Sequence, residues 1–323
     1  MAIAEIHEEI IQTHILTRLD GQTLSAAAAV SSQLQSLCSD DKLWSDICSS
    51  NWPSTDHPLL RHVISNFPSG HRSFFSDSFP FPSHRLTTTT ATSSLPTSQL
   101  ISAVDLRYRE ELVFSKVEST NTTPSSNWFQ TSPFRIDLLE PKELVPSSAV
   151  KFSGDDHVMQ SNLEQHVTLS WILIDPIQNR AVNLSSIKPV SVQRNWLTDD
   201  IELTFAVVTR DYNYEYVNCN LEIACGVKEG GGEVYVSGVS LTLQDVDGTC
   251  LNGKDSLVIL QGLMVAERRR GGGGEGEKKR YKEYIERRRE RKEERDRRER
   301  RLDVVCIASG VAFLMAFWSF ALC

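Results

Sequence analysis

The sequence predicts an α+β protein: a small all-helical module, then a mainly antiparallel, sandwich-like β domain, then a charged helix and a hydrophobic C-terminal helix. Three observations predict this fold class. Apolar residues recur at helical spacing through residues 5–50, and they alternate with polar residues through residues 99–265. Dense charge fills residues 266–303, and the 20 residues that follow, 304–323, carry none. The remaining residues, 51–98, are rich in Ser, Pro, Phe and Thr and are predicted to be a linker.

The N-terminal module is predicted from short apolar stripes. Ile6, Ile10 and Ile15 begin one stripe, the pair Asp20-Gly21 ends it, and shorter stripes follow. A module of so few residues and such short helices cannot bury all of its apolar side chains internally. An exposed apolar face is therefore expected, and such faces usually bind a partner.

The β domain is predicted from alternation with a period of two residues. Val167, Leu169, Trp171 and Leu173 share one face of a strand, because successive side chains on a strand point to opposite faces. Residues 201–207 repeat the pattern. The strands are therefore predicted to be half-buried and to form a sandwich or an open barrel.

Further signals mark the end of the β domain. The alternation that begins at Val234 resumes one residue out of step after Ser237-Gly238, which predicts a β-bulge. The pair Asn252-Gly253 predicts a turn before the apolar run 255–260. No window of the domain predicts a long helix.

Charge and cysteine content restrict the partners and the compartment. The net charge is −8, yet half of the Lys and Arg residues lie in 267–303, so the rest of the chain is strongly acidic. An acidic body argues against nucleic acid as a partner. The cysteines number seven, an odd count without a CxxC pair, and this favours a reducing compartment. The acidic N-terminus does not resemble a secretory signal.

The N-terminal segment resembles the F-box. The matching features are an apolar helix end, an Asp-Gly break, a Val-Ser pair and an acid-x-Leu-Trp element. In order, they are Ile15, Leu16 and Leu19; Asp20 and Gly21; Val30 and Ser31; Asp41, Leu43 and Trp44. The chain departs from the family pattern at Ile6-His7, where Leu-Pro is usual, and at Leu34, where an aromatic residue often stands.

The resemblance implies a function. F-box proteins dock on a Skp-type adaptor, which joins them to a cullin-RING ubiquitin ligase, while the rest of the chain captures a substrate protein. Eight positions match the family's docking surface: Ile6, Ile10, Ile15, Leu16, Leu19, Leu24, Val30 and Leu34. The order of the later segments also looks like a group of plant F-box proteins. Under this interpretation the chain is a non-catalytic substrate receptor, and its substrate is unknown.

A search for an active site supports this interpretation. The chain contains none of the common zinc-protease, hydrolase, P-loop or dinucleotide motifs. His157 and His166, with Asp155 and Asp156, do not match the spacing of a common metal site. No catalytic residue, metal or cofactor is therefore predicted, and Gly271–Gly274 is interpreted as a hinge.

The C-terminal part is predicted to be a solvated charged helix about 40 Å long, followed by a transmembrane tail anchor at residues 304–323. The basic residues before the anchor would keep the body on the cytosolic face of a membrane. Two alternatives remain open: a hydrophobic helix that folds back on the β domain, and a protein of the cytoplasm or nucleus whose charged segment is a linker or a localisation signal.

A rival function also remains open. This alternative is a lectin-like, membrane-anchored β-sandwich that binds a ligand and whose N-terminal helices pack internally. A carbohydrate hydrolase is disfavoured, because no pair of carboxylates stands in a recognisable motif.

Overall fold

The fold is that of a computed structural model, which describes residues 7–79, 81–83, 85–86, 97–123, 127–139, 150–151, 156–211, 214–227, 233–269 and 274–321. Ten α-helices are numbered in chain order. They are α1 Glu8–Ile10, α2 Gly21–Ala27, α3 Ser32–Leu37, α4 Asp41–Asn51, α5 Pro58–Ser65, α6 Gly70–Ser78, α7 Asn127–Thr131, α8 Asp156–His166, α9 Gly253–Val265 and α10 Gly274–Ala321. A π-helical turn Ile11–Ile15 and a 3-10 turn Leu16–Arg18 continue α1, and a 3-10 helix Pro53–Asp56 follows α4.

Twelve strands are numbered in the same way. They are β1 Phe81–Pro82, β2 Gln99–Tyr108, β3 Glu111–Asn121, β4 Arg135–Asp137, β5 Val150–Lys151, β6 Val167–Asp175, β7 Arg180–Asn183, β8 Ser191–Arg194, β9 Ile201–Thr209, β10 Val217–Val227, β11 Glu233–Asp245 and β12 Arg268–Arg269. The helical module below means residues 8–78, the β domain residues 99–265, and the tail helix α10.

Two antiparallel sheets form the β domain. The smaller has the strand order β3-β2-β6-β7, and the larger has the order β4-β11-β10-β9-β8, with β5 also paired to β11. Side chains from both sheets, such as Val104 and Trp171 on one and Phe205 and Leu241 on the other, share one hydrophobic core. The predicted fold class, a helical module followed by a sandwich-like antiparallel β domain, is confirmed.

The predicted strand faces and the predicted bulge are also confirmed. Trp171 and Leu173 are fully buried between the sheets, because alternation directs them inward. On β10 and β11, Ala224 pairs with Gly238 but Cys225 pairs with Val236, so Ser237 is the extra residue of the bulge.

The residues predicted to be a linker are largely part of the helical module, and that prediction is wrong over α5 and α6. Proline 58 begins α5 at the first helical position, where its missing N–H costs nothing. Leu60 and Ile64 are fully buried, and Phe74 of α6 packs edge-on against Trp52 at 5.9 Å between ring centroids. The Thr-rich stretch 87–96 lies outside the described residues.

The helical module lies against the outer face of the smaller sheet. Ile101, Ile172, Ile174 and Ala181 point away from the sandwich core and join the hydrophobic core of the helices. Alternation alone predicted that these strands would be half-buried. They are instead buried on both faces. The two faces of the smaller sheet thus contribute to two different hydrophobic cores.

A buried carboxylate fixes this junction. Asp105 of β2 accepts hydrogen bonds from the backbone N–H of Ser54 at 3.0 Å and from its hydroxyl at 2.6 Å. It also accepts one from the hydroxyl of Ser115 on β3 at 2.7 Å. Ser54 belongs to the 3-10 helix after α4, so Asp105 joins the helical module to the sheet at a defined position.

A second polar contact closes the other side of the junction. Asp77 of α6 accepts a hydrogen bond from the backbone N–H of Ala181 on β7 and pairs with Arg180 at 2.9 Å. Arg268 donates to the carbonyl of Ala181 at 2.8 Å and to that of Met264 at the end of α9. Burial lowers the pKa of Arg268 to about 10, and it stays charged at neutral pH.

Three helices of the β domain, α7, α8 and α9, were not predicted. Asn252 accepts a hydrogen bond from the backbone N–H of Asp255 and so caps α9, at the position where the sequence predicts a turn. In α8, Met159 and Leu163 face the core. These two apolar residues are spaced by four, and one such pair is too short a periodicity to predict a helix from the sequence.

The tail helix is continuous through the charged and the apolar segments, and its 48 residues extend for about 72 Å. Only part of the surface of its first turns is solvated, whereas the whole helix was predicted to be solvated. Tyr284 is fully buried and donates to the carbonyl of Asp245 at 2.7 Å, and Arg287 pairs with Glu215 at 3.1 Å. From Lys292 onward the described side chains are mostly exposed.

Within the described ranges, no helix combines the length and the apolar character that crossing a membrane requires. The transmembrane tail anchor predicted at residues 304–323 is therefore not supported.

The junction generates a first prediction. Asp105→Ala should lower the free energy of unfolding by about 2–4 kcal/mol, because it leaves the buried backbone N–H and hydroxyl of Ser54 without their acceptor. Urea denaturation of the full chain measures this change. The control Asp247→Ala removes an exposed carboxylate in a turn and should change stability by less than about 0.5 kcal/mol. Equal stability of the two variants would contradict the assigned role of Asp105.

A second prediction concerns pH. Burial raises the pKa of the Asp105 carboxyl above its ordinary value of 3.8. When a carboxyl group has a higher pKa in the folded protein than in the unfolded chain, it contributes its full stabilisation at a pH below the unfolded-state pKa. This contribution is lost as the pH rises through the folded-state pKa. The stability advantage of the wild type over Asp105→Asn should therefore shrink as the pH rises from the acidic range towards neutrality. Urea denaturation across this range checks the sign, and an advantage that grows with pH would contradict it.

Candidate adaptor-docking surface

The first helices are positioned by caps and by one close contact. The Asp20 carboxylate accepts a hydrogen bond from the backbone N–H of Thr23 at 2.7 Å, which starts α2. Hydrogen bonding from Thr23 also holds the pKa of Asp20 below its ordinary value. Gly21 allows the ring of Phe75 to approach, since a Cβ at this position would lie 2.2 Å from the ring. The Asp-Gly break thus caps α2 and packs it on α6.

The later helices of the module are capped in the same way. Ser31 accepts from the backbone N–H of Leu34 and starts α3, and Asp40 accepts from that of Lys42 and starts α4. Trp44 is buried and donates its indole N–H to the carbonyl of Cys38 at 2.7 Å. This bond fixes the angle between α3 and α4.

The structure separates the eight predicted docking residues by burial. Leu16, Leu24 and Leu34 lie in the core of the helical module with exposures of 2%, 0% and 8%. Ile10, Ile15 and Val30 are exposed, by 49%, 42% and 71%. Leu19 is half-buried at the rim of the core, and Ile6 lies outside the described residues.

Burial divides the described residues of this set into two groups, and adaptor contact stays a prediction for all eight. The buried leucines cannot contact another protein in this conformation; they hold the helices that carry the exposed residues. Ile10, Ile15 and Val30 are called the adaptor face below, because they are the exposed residues for which adaptor contact is predicted.

Two side-chain contacts bring the parts of the adaptor face together. Gln33 of α3 donates to the carboxylate of Glu8 on α1 at 2.9 Å, and Gln12 donates to that of Asp40 at 3.0 Å. Val30 immediately precedes the cap of α3, so these contacts place it at the same end of the module as α1. The face is therefore apolar residues bordered by polar and acidic ones, a composition that suits a protein interface.

Sequence reasoning missed the support that lies behind this face. Phe74 and Phe75 of α6 and Trp52 pack with Trp44 in one aromatic cluster. The spacing of Leu60, Val63, Ile64 and Phe67 was a helical signal, and it was outweighed by the Ser- and Pro-rich composition of the segment.

The described residues hold no group of three or more His, Cys, Asp or Glu side chains placed to bind a metal. The geometry of the module instead offers caps, a closed core and an apolar outer face. It defines a small helical docking module fixed to a β-sandwich.

Comparison with known proteins identifies the family. Residues 9–50 match the F-box-like family model, and these residues include the whole adaptor face. The chain is 43% identical to the F-box protein At2g27310 of Arabidopsis thaliana over 99% of its own length and 96% of that protein. It is 42% identical to the probable F-box protein At2g36090 of the same plant over 96% of its length and 90% of that protein. No solved structure matches the chain significantly.

The chain therefore belongs to the F-box protein family. Such a module implies binding to a Skp-type adaptor and, through it, to a cullin-RING ligase. Proteins of this family are generally non-catalytic subunits of those ligases.

Burial generates a third prediction. Leu24→Asp places a carboxylate in the closed core of the module and should destabilise it by several kcal/mol, whereas Val30→Asp on the surface should change stability by less than about 0.5 kcal/mol. Circular dichroism during urea denaturation of the full chain measures both. A similar loss in the two variants would contradict the separation into core and surface residues.

Proposed function

We propose that this protein is the substrate receptor of a Skp-cullin-F-box ubiquitin ligase, and that its β domain captures the protein to be ubiquitinated. The observation that carries the proposal is the adaptor face: exposed apolar residues that fall within the residues matching the F-box-like model. We assign adaptor contact to Ile10, Ile15 and Val30, with Leu19 at the rim and Leu16, Leu24 and Leu34 as the core that positions them.

The mechanism of such a receptor is proximity. A ligase accelerates ubiquitin transfer when it holds substrate lysines near the charged ubiquitin carrier, which raises their effective concentration. A rigid link between the adaptor-binding part and the substrate-binding part preserves this gain. Asp105 and Asp77 supply that link, because each joins the helical module to the smaller sheet through buried hydrogen bonds.

The rival proposal, a sandwich that binds a sugar, has no comparable observation in its favour. A cavity between Tyr108, Leu163 and Tyr235 has a volume of about 30 Å³ and an apolar lining. This volume suits one or two water molecules, not a sugar ring.

The cysteines favour the cytoplasm or the nucleus as the place of action. Cys38, Cys48, Cys219 and Cys225 are buried free thiols, and burial raises the pKa of the last three to about 12. Thiols that remain protonated and unpaired suit a reducing compartment.

A fourth prediction tests adaptor binding. Ile10→Asp with Val30→Asp should reduce the affinity of the full chain for a Skp-type adaptor by at least about a hundredfold, because each change buries an unpaired carboxylate in the interface. Isothermal titration with the purified adaptor measures the affinity. Both residues are exposed, so the fold should be unaffected.

Ile177→Asp is the matched control. Ile177 is an exposed isoleucine, 45% accessible, in the turn between β6 and β7, outside the helical module. This variant should bind the adaptor as the wild type does. Unchanged affinity in the double variant would refute the assignment of the adaptor face.

A further inference from the structure

The most exposed large apolar residue of the β domain is held in a short, well-defined loop. Trp196 is 92% exposed and its neighbour Leu197 is 76% exposed, in the loop 195–200 between β8 and β9. This segment is called the tryptophan loop below. Two large apolar side chains side by side in solvent are unfavourable in the isolated chain, since each could bury substantial area in a complex.

Hydrogen bonds fix the tryptophan loop. The side-chain oxygen of Asn195 accepts from the backbone N–H of Leu197 at 2.9 Å, and its side-chain nitrogen donates to Glu202 at 2.6 Å. The backbone N–H of Asn195 donates to the carbonyl of Asp200, and that of Asp199 donates to the carbonyl of Asn195. Little conformational freedom remains in this backbone to be lost on binding.

The residue at the tightest position of the loop suits its conformation. Asp199 has a φ of +64°, a left-handed value that aspartate and asparagine adopt more readily than most residues. Its carboxylate also pairs with the guanidinium of Arg194 at 2.8 Å. The hydrogen bonds and the ion pair that fix the backbone of the loop are thus made by residues other than Trp196.

The tryptophan loop lies at one end of the larger sheet, and a second exposed aromatic residue lies at the same end. Cys225 of β10 pairs with Ile201, the first residue of β9, and also with Val236 of β11. Tyr235, which is 36% exposed, precedes Val236. Two strand spacings, about 10 Å, separate β9 from β11, so one partner can cover both aromatic residues.

Acidic side chains surround the tryptophan loop. Asp199, Asp200 and Glu202 lie within or just after it, and Arg194 pairs with the first of these acids. The side chain of Asp199 is 78% exposed. A partner with an apolar pocket rimmed by Lys and Arg complements this surface, whereas an anionic membrane does not.

We propose that the tryptophan loop is the substrate-contact site of the β domain, and that Trp196 and Leu197 enter an apolar pocket with a basic rim on the substrate protein. The inference rests on the proposed function, since a substrate is defined by its ubiquitination. The loop belongs to the larger sheet, while the helical module covers the smaller one, so adaptor and substrate bind to opposite layers of the molecule.

The test compares full-length variants in cells whose own copy of the gene is disrupted. Lysines that carry a ubiquitin remnant are quantified by mass spectrometry after re-expression of four chains: wild type, Ile10→Asp with Val30→Asp, Trp196→Ala with Leu197→Ser, and Ile177→Ala. Ligase substrates are the proteins whose ubiquitination rises with the wild type but not with the adaptor-face variant. Thermal unfolding of the purified loop variant checks that it folds.

We expect the loop variant to lower ubiquitination of these substrates at least about tenfold, as loss of a central tryptophan anchor does. Ile177→Ala should retain it. A photo-cross-linking amino acid in place of Leu197 should form adducts with the same proteins.

Two outcomes would overturn the inference. If the loop variant ubiquitinates the substrates as the wild type does, or if the cross-linker reacts only with lipid, the tryptophan loop is not the contact site and the proposed function stands. If the wild type raises no ubiquitination that depends on the adaptor face, the proposed function fails and the inference fails with it.

Discussion

The buried carboxylate of Asp105 is the interaction on which the arrangement of this molecule depends. It lies on β2, where the strand faces the sandwich core on one side and the helical module on the other, and it holds the segment that leaves α4. Removing an aspartate from water is costly, and burial raises its pKa, so the site is stable only while Ser54 and Ser115 supply their hydrogen bonds. The carboxylate therefore selects one position of the helices on the sheet.

The shared sheet explains why the chain behaves as one body. Ile172 and Ile174 belong to the core of the helical module, while Trp171 and Leu173 on the same strand belong to the sandwich core. The strand cannot shift by one residue without exchanging the two sets. Under the proposed function, a helical module and a β domain joined in this way keep a fixed separation, which is what makes proximity effective in a ligase.

Much of this architecture could be predicted from the sequence, for reasons that individual residues show. Alternation predicted the faces of β6 and β9, and the slip at Ser237 predicted the bulge, because both signals are local. The helices α5 and α6 were missed, because their buried faces point at a sheet formed by residues more than 20 positions later, and composition dominated the local pattern. Asn252-Gly253 was ambiguous in principle: asparagine caps a helix as readily as it begins a turn.

The candidate docking site shows a different limit of the sequence. Family resemblance located the correct segment, yet Leu16, Leu24 and Leu34 are core residues and Ile10, Ile15 and Val30 are surface residues. All six are apolar, and the packing of the whole helical module decides which of them solvent can reach. Resemblance to a family therefore identifies a structural module more reliably than it identifies the role of each residue in the module.

The tryptophan loop illustrates how the molecule can present apolar surface without self-association. An exposed tryptophan beside a leucine would ordinarily promote contacts between copies of the chain. Asp199, Asp200 and Glu202 stand around it on a chain whose net charge is −8, so two copies repel each other where their loops would meet. Under the proposal above, the same charges attract a basic rim on the substrate protein, and the hydrogen bonds of Asn195 hold the backbone in the conformation that binds it. The acids thus disfavour self-association and favour a basic partner with the same few side chains, which is how specificity arises from a small surface.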